Sequence, residues 1–217
     1  MSRLPTTVAS ITTDWMTQSL RAGGAIDAST IVASLTPHNM GAGVGFMGEV
    51  GRLGVTYTGG SGPESVICKI PTQDPTIRGM LAPARVFERE ARFYSQIAPQ
   101  LPTVPSAHFV AADYANDDYV LVLQDLGHLR VGDQSAGVTA ADAAAVMRTV
   151  AGMNAHFWQT TELNSFDWLP MANSDGMKIG SEVYKASLPG FMQVFEHAID
   201  ADMVPVMEQY GANVHQL

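Results

Sequence analysis

The feature that most constrains this chain is a glycine-dense segment, residues 41–48, which leads into two short apolar runs. The first run, residues 52–57, places β-branched and aromatic side chains at alternating positions, as strands do. Residues 58–63 are rich in glycine and end in proline, which indicates a turn. The second run, residues 65–70, carries a single charge, on Lys69. The sequence therefore predicts a glycine loop, a strand, a turn and a second strand that bears one lysine.

Part of the glycine segment, Gly43-Val44-Gly45-Phe46-Met47-Gly48, fits the pattern G-x-G-x-x-G, which two kinds of nucleotide site use. In a dinucleotide-binding fold the pattern follows a strand, begins a helix and is answered by an acidic residue about twenty positions later. Here residues 36–39 predict no strand, a strand rather than a helix follows, and Cys68 and Lys69 stand where the acid is expected. The pattern therefore favours a hairpin that covers phosphates, with a lysine on a later strand. A dinucleotide-dependent oxidoreductase is the disfavoured alternative.

Lys69 is the residue whose surroundings most need an explanation. An ammonium among apolar neighbours costs free energy unless an anion pairs with it, although a lysine on an exposed edge strand can cover apolar surface with its stem. Residues 83–97 predict a helix with Phe87 on its buried face, and Glu90 lies along that face. Glu88 points roughly 100° away from Phe87 and is expected to be solvated. Glu90 is thus the expected partner of Lys69.

A second predicted hairpin ends in a polar bend. Residues 109–112 and 119–123 predict its strands, and the second strand is apolar enough to be buried on both faces. Residues 124–126 follow, where the chain changes from mixed to helical patterns. Such a bend can present backbone N–H and C=O groups to an adenine ring. The alternative is a core strand that ends in an ordinary turn, and the residues alone leave both open.

The rest of the chain predicts helices and loops. The first forty residues have helical spacing of apolar side chains, and residues 71–83 predict a loop. Thr139, with Asp142 three positions later, predicts the start of a helix. A last helical stretch covers about residues 182–209. The predicted fold class is α+β, and the boundary between the mixed α/β part and the helical part is predicted near Leu126.

The composition excludes several classes of protein. Twelve Lys and Arg against 21 Asp and Glu give a net charge of −9, which disfavours a nucleic-acid partner. The single cysteine, Cys68, excludes an intramolecular disulfide and a cysteine-rich zinc site. The sequence has no long apolar run typical of a membrane span, and its first ten residues lack the pattern of a secretory signal. We therefore expect a cytoplasmic globular protein with neither a nucleic acid nor a membrane as partner.

Taken together, the motifs resemble the aminoglycoside phosphotransferase and ecdysteroid-kinase-like (choline-kinase-like) branch of the kinase-like fold. The resemblance covers roughly residues 43–170. The matching segments are Gly45-Phe46-Met47-Gly48-Glu49, Arg52-Leu53, Ile67-Cys68-Lys69, Arg89-Glu90-Ala91-Arg92-Phe93-Tyr94, Leu121-Val122-Leu123-Gln124-Asp125-Leu126, Gly132-Asp133-Gln134 with Gly137, and Ala155-His156-Phe157-Trp158.

The resemblance implies ATP- and Mg²⁺-dependent transfer of the γ-phosphoryl group to a hydroxyl of a small molecule. It implies a protein-kinase-like N-lobe of antiparallel sheet plus helix in residues 1–126, and the first helices of an incomplete, mainly helical C-lobe in residues 127–217. The cofactor-binding residues carried over by position are Gly45, Gly48, Lys69, Glu90, Gln124, Asp125 and Leu126. The glycines would lie in the phosphate loop, the lysine would contact the phosphates, the glutamate would pair with the lysine, and the last three residues would form the hinge beside adenine.

The sequence departs from the family pattern in three places, one of which is Asn154, where the family is expected to have His, with no consequence assigned to it. Gln124 stands where the family commonly has Glu, which changes little because a hinge works through its backbone. The catalytic loop His-Gly-Asp and the later Asp that holds Mg²⁺ are missing from residues 1–217, and Gly132-Asp133 precedes the helix that should come before that loop. We therefore expect no catalytic residue or metal ligand in this chain and no kinase activity from it alone. The expected explanation is the N-terminal portion of a longer protein, and the alternative is a non-catalytic, pseudokinase-like nucleotide-binding module.

Overall fold

A computed structural model describes residues 4–38, 47–130, 132, 136–170 and 175–213. The chain divides into two compact units, Met1–Ser165 and Phe166–Leu217. The first unit holds a five-stranded sheet with its helices, and the second is built mainly from two α-helices. This arrangement confirms the predicted α+β class, whereas the lobe boundary near Leu126 stays a prediction.

In the sheet, each strand runs antiparallel to the strands next to it. Its members are β1 (Ile31–His38), β2 (Gly48–Thr58), β3 (Ser65–Pro71), β4 (Ala107–Asp113) and β5 (Asp118–Gln124). They lie in the order β1-β2-β3-β5-β4. Both predicted hairpins, β2–β3 and β4–β5, are therefore confirmed. Every residue from Tyr119 to Leu123 is buried, as predicted for a strand covered on both faces.

The prediction of a helical N-terminus is right for one helix and wrong for the residues before the glycine segment. Helix α1 (Thr13–Ala22) is present, but residues 31–38 form β1, which pairs with β2. The β-branched Ile31 and Val32 suit a strand once a partner strand is available, and only one of the two is buried. A strand thus precedes the glycine segment, so one of the three arguments against a dinucleotide fold is wrong. The strand β2 that follows keeps that fold disfavoured.

Two short helices connect β3 to β4. Helix α2 (Pro75–Leu81) occupies the predicted loop, and the carboxylate of Asp74 accepts hydrogen bonds from two backbone N–H groups of its first turn. An N-cap Asp followed by Pro is a helix start that the spacing of apolar residues did not reveal. Helix α3 (Val86–Arg92) lies within the predicted helix, begins after Arg85 in the left-handed conformation, and continues as a π-helical turn, Phe93–Ile97.

Apolar side chains cover both faces of the sheet. Helix α1 and the segment before it pack on one face, whereas α3 packs on the other, where Phe87 lies against Tyr119. Side chains alternate along a strand, so Cys68 lies in the first core and Lys69 points to the opposite face. The lysine therefore faces the helix that carries Glu90.

After the sheet, one helix starts where it is predicted, whereas the single stretch predicted for about residues 182–209 forms two helices with different bounds. Helix α4 (Ala140–His156) begins at Thr139, whose hydroxyl accepts a hydrogen bond from the Asp142 N–H at 3.1 Å. In the second unit, α5 (Asp175–Phe195) contains Pro189, and α6 (Met203–Asn213) follows. Across the described ranges, every helix is too short or too polar to cross a membrane.

Candidate nucleotide-binding site

Lys69 and Glu90 form the ion pair at the centre of the site. The lysine Nζ lies 2.5 Å from Glu90 Oε1, and each side chain is 24% exposed. Partial burial strengthens the attraction between the two charges compared with a pair on the open surface. Because β3 and α3 supply one partner each, the pair holds the helix against the sheet. The predicted pairing is confirmed, and its role in binding nucleotide stays a prediction.

Glu88 differs from the expectation of a solvated side chain. It is only 11% exposed, and its carboxylate accepts hydrogen bonds from Arg85 and Arg92 at 2.7 Å each. The hydrogen bond from Arg85 lowers the pKa of Glu88, with that from Arg92 adding to the effect against the opposing influence of burial. Glu88 therefore pairs with these two arginines and not with Lys69, as predicted. The prediction that its side chain is solvated is wrong, because the arginines cover it.

Tyr119 is a site residue that the sequence reasoning missed. Its side chain is buried, and its hydroxyl donates a hydrogen bond of 2.6 Å to Glu90 Oε2, the oxygen that Lys69 does not use. Burial, followed by the charge of Glu90, raises the pKa of Tyr119 well above its ordinary value, so the hydroxyl keeps its proton. A tyrosine that opens an otherwise apolar buried strand was the available signal, because a buried hydroxyl requires a partner.

The strand register brings apolar side chains onto the face that carries Lys69. Val50 of β2 and Leu121 of β5 lie directly opposite Lys69, and Ile67 lies two residues before it on β3. Directly opposite residues in antiparallel strands point to the same face. Val50 and Ile67 are half-buried, which leaves part of this face open to solvent. An apolar floor next to one ammonium suits a flat ring attached to an anionic chain.

The bend after β5 is bonded to the sheet through Asp125. Its Oδ2 accepts hydrogen bonds from Arg52 Nε at 2.6 Å and Ser65 Oγ at 2.5 Å, and its Oδ1 accepts one from the Gly127 N–H at 2.8 Å. Burial opposes ionisation, but the hydrogen bonds from Ser65, Gly127 and Arg52 lower the pKa of Asp125. Both oxygens of the carboxylate are therefore engaged within the chain, and the backbone of Asp125 is the part that we expect to meet a ligand.

Gln124 and Leu126 differ in what their backbones can offer. The Gln124 N–H donates to the Ser106 carbonyl at 2.9 Å, so it is occupied. The Leu126 carbonyl accepts a hydrogen bond from the Leu129 N–H at 2.8 Å, whereas the Leu126 N–H has no acceptor in the part of the chain that the structure describes. The Leu126 N–H is therefore free to meet a ring nitrogen, and the Asp125 N–H likewise has no acceptor among the described residues.

The two glycines predicted for the phosphate loop have different outcomes. Gly45 lies outside the described residues. Gly48 begins β2 and is buried, and a Cβ built on it would lie 2.3 Å from the Ile70 carbonyl oxygen. The close approach of β2 to β3 is therefore sufficient to require glycine at this position, whether or not phosphate binds there. A role for Gly48 in holding phosphate stays a prediction.

A model of the ecdysteroid kinase-like family matches residues 42–216, which is most of the chain. The chain belongs to this family. The family assignment supports a kinase-like fold, and the predicted kinase-like N-lobe agrees with the five-stranded antiparallel sheet and α3. A search of curated proteins and a search of solved structures each found no match.

In this ecdysteroid kinase-like chain, the described residues fit a nucleotide better than a metal ion. Lys69 supplies a positive charge beside an apolar floor, and Leu126 supplies a free backbone donor. Within the described ranges, no group of three or more His, Cys, Asp or Glu side chains is placed to hold a metal ion. No chemical step is assigned to a metal here.

Proposed function

We propose that this chain is the nucleotide-binding part of an ATP-dependent phosphotransferase that transfers the γ-phosphoryl group to a hydroxyl of a small molecule. The observation that carries the proposal is the Lys69–Glu90 ion pair, which joins β3 to α3 on the face of the sheet that α3 covers. Membership of the ecdysteroid kinase-like family supports the same class of reaction. The acceptor is described only as a small-molecule hydroxyl.

Each part of the site has a role in this proposal. Lys69 neutralises phosphate charge, and Glu90 keeps the ammonium in place. Val50 and Ile67 pack against the adenine ring, and the Leu126 N–H donates to a ring nitrogen. ATP supplies the phosphoryl group that is transferred. The contribution of this chain is thus positioning and charge, which provide most of the catalysis in phosphoryl transfer.

The missing His-Gly-Asp motif sets the expected activity of residues 1–217. No residue of that motif is available to orient an acceptor hydroxyl. We propose that residues 1–217 bind ATP and do not transfer its phosphoryl group by themselves. The same observation favours a second candidate, a non-catalytic, pseudokinase-like nucleotide-binding module.

Titration with a fluorescent ATP analogue, followed by competition with unlabelled ATP and with NAD⁺, tests the proposal. We expect ATP to compete and NAD⁺ not to compete. Lys69→Met should weaken ATP binding about ten- to a hundredfold, because it removes a charge-assisted contact. Lys185→Met is the matched control, since Lys185 is an exposed lysine paired with Glu182 in the second unit. A wild-type chain that binds no ATP, or a Lys69→Met chain that binds as well as wild type, contradicts the proposal.

Phosphoryl transfer is measured separately. Residues 1–217 should show no metal-dependent turnover of ATP with a panel of small alcohols. Clear turnover would agree with the proposal that ATP binds, but it would contradict the expectation that this chain is inactive alone.

A further inference from the structure

The carboxylate of Glu90 is held by two strands at once. Oε1 accepts the hydrogen bond from Lys69 on β3, and Oε2 accepts the hydrogen bond from Tyr119 on β5. Both contacts are short, at 2.5 and 2.6 Å. Hydrogen bonds to an ionised acceptor are shorter and stronger than neutral ones. Glu90 is therefore fixed at both oxygens rather than at one.

Helix α3 has few other means of keeping Glu90 in position. The helix has seven residues, begins after a residue in the left-handed conformation and passes directly into a π-helical turn. Its buried residues are Phe87 and Ala91, which fix its depth on the sheet. Apolar packing is not directional, so it does not by itself fix where a carboxylate points. The two hydrogen bonds supply that direction.

We infer that Tyr119 is a positioning residue that acts through Glu90 and keeps the Lys69 ammonium in its place for phosphate. The inference deepens the proposed function and rests on it for the part that concerns nucleotide. When the ammonium turns its hydrogen bonds toward phosphate oxygens, the hydroxyl of Tyr119 still holds Glu90 and α3 against the sheet.

The plainer alternative is that Tyr119 serves only the core. Its ring packs against Phe87 with centroids 6.3 Å apart, and its hydroxyl needs some partner once buried. The two explanations differ in one respect. A core role is independent of Glu90, whereas a positioning role disappears when Glu90 no longer holds Lys69.

The chain offers a matched control in Tyr94. This tyrosine packs against the same core from the π-helical turn and lies near the charge of Glu90, and burial is the main cause that raises its pKa. Unlike Tyr119, its hydroxyl makes no hydrogen bond in the described part of the chain. Tyr94→Phe and Tyr119→Phe therefore remove the same atom from neighbouring places, but only Tyr119→Phe loosens Glu90.

The first test needs no nucleotide. Residues 1–217 are treated with an acetylating N-hydroxysuccinimide ester, and acetylation of Lys69 is followed by mass spectrometry with Lys185 as internal reference. Tyr119→Phe and Glu90→Gln should each raise the rate at Lys69 about two- to fivefold, because a charge-assisted contact that restrains the amine is weakened. Tyr94→Phe should leave the rate at its wild-type value. An unchanged rate in Tyr119→Phe overturns the inference.

The second test is a double-mutant cycle on ATP binding. Tyr119→Phe should weaken binding about three- to tenfold in the wild-type background, and by less than about twofold in the Glu90→Gln background, because a residue that acts through Glu90 has no effect without it. Equal losses in both backgrounds overturn the inference and assign Tyr119 to the core. So does a Tyr119→Phe chain that loses its fold, as judged by circular dichroism.

The two tests separate failure of the inference from failure of the proposed function. If wild-type protein binds no ATP, the proposed function fails, and acetylation of Lys69 alone decides whether Tyr119 positions the pair. If ATP binds and requires Lys69 but not Tyr119, the inference fails and the proposed function remains.

Discussion

Arg52 of β2 lies 2.6 Å from Asp125 in the bend after β5, measured from Nε to Oδ2. The two residues are 73 positions apart in the chain. The bond joins β2, the strand after the glycine segment, to residues 124–126, which are predicted to form the hinge beside adenine. Since Ser65 of β3 donates to the same oxygen, three parts of the sheet meet at one carboxylate.

Arg52→Gln should destabilise the protein by about 1–2 kcal/mol, because the 8%-exposed Asp125 side chain loses its charged partner. The measurement is equilibrium unfolding in urea at neutral pH. Arg130→Gln is the control, since Arg130 pairs with Asp142 at a more exposed position, where loss of the pair should cost less than about 1 kcal/mol. If both variants lower the free energy of unfolding equally, the Arg52–Asp125 pair stabilises the protein no more than an exposed ion pair does.

Asp125 should make stability depend on pH. Its pKa is lowered in the folded chain, so its contribution is present above the unfolded value of about 3.9 and is lost as the pH falls through the lower, folded value. The difference in unfolding free energy between wild type and Asp125→Asn should therefore be largest above about pH 4 and shrink below it. Urea unfolding between neutral and acidic pH measures this difference, and a difference that does not change with pH contradicts the prediction.

Gly48 and Gly79 should respond to alanine in opposite directions. At Gly48 the new Cβ would lie 2.3 Å from a backbone oxygen of β3, and we expect a loss of about 1–3 kcal/mol. At Gly79, within α2, a Cβ meets nothing within 4 Å, so alanine should stabilise the protein by about 0.5–1 kcal/mol. Thermal unfolding of both variants provides the measurement. A stabilising Gly48→Ala would mean that β2 and β3 are less closely packed than described.

Cys68 should be unreactive in the native protein. Its side chain is buried, and burial raises the pKa of the Cys68 thiol to about 12, so the thiolate is scarce at pH 8. Ellman's reagent should react with this thiol only after urea has opened the sheet. The increase in absorbance should follow the loss of strand signal in circular dichroism, and rapid reaction without urea would contradict the burial.

The ion pair at Lys69 was predictable because its causes are local. A lone charge in an apolar strand and a glutamate on the buried face of the next helix are both visible in the sequence. The start of α2 is equally local, because Asp74 and Pro75 are a capping signal, although the spacing of apolar residues does not indicate it. These are residues for which near neighbours in the chain decide the structure.

Other features depend on strand pairing and could not be predicted from local pattern. The spacing of Ile31 and Val32 with later apolar residues fits a helix as well as a strand, and pairing with β2 decides for the strand. The contacts of Tyr119 with Glu90 and of Arg52 with Asp125 require the register of β5 and β2. That register emerges only when the whole sheet is assembled.

Helix α1 and the segment before it show that the folded unit of this chain extends beyond the residues that the family model matches. Val8 donates its backbone N–H to Glu49 at 3.0 Å, and Met16 and Leu20 are fully buried against the sheet. The family match begins only at residue 42. A protein expressed from that position would lack the edge strand β1 and the apolar side chains of α1 that cover one face of the sheet. The range matched by the family model is therefore shorter than the folded unit of this chain.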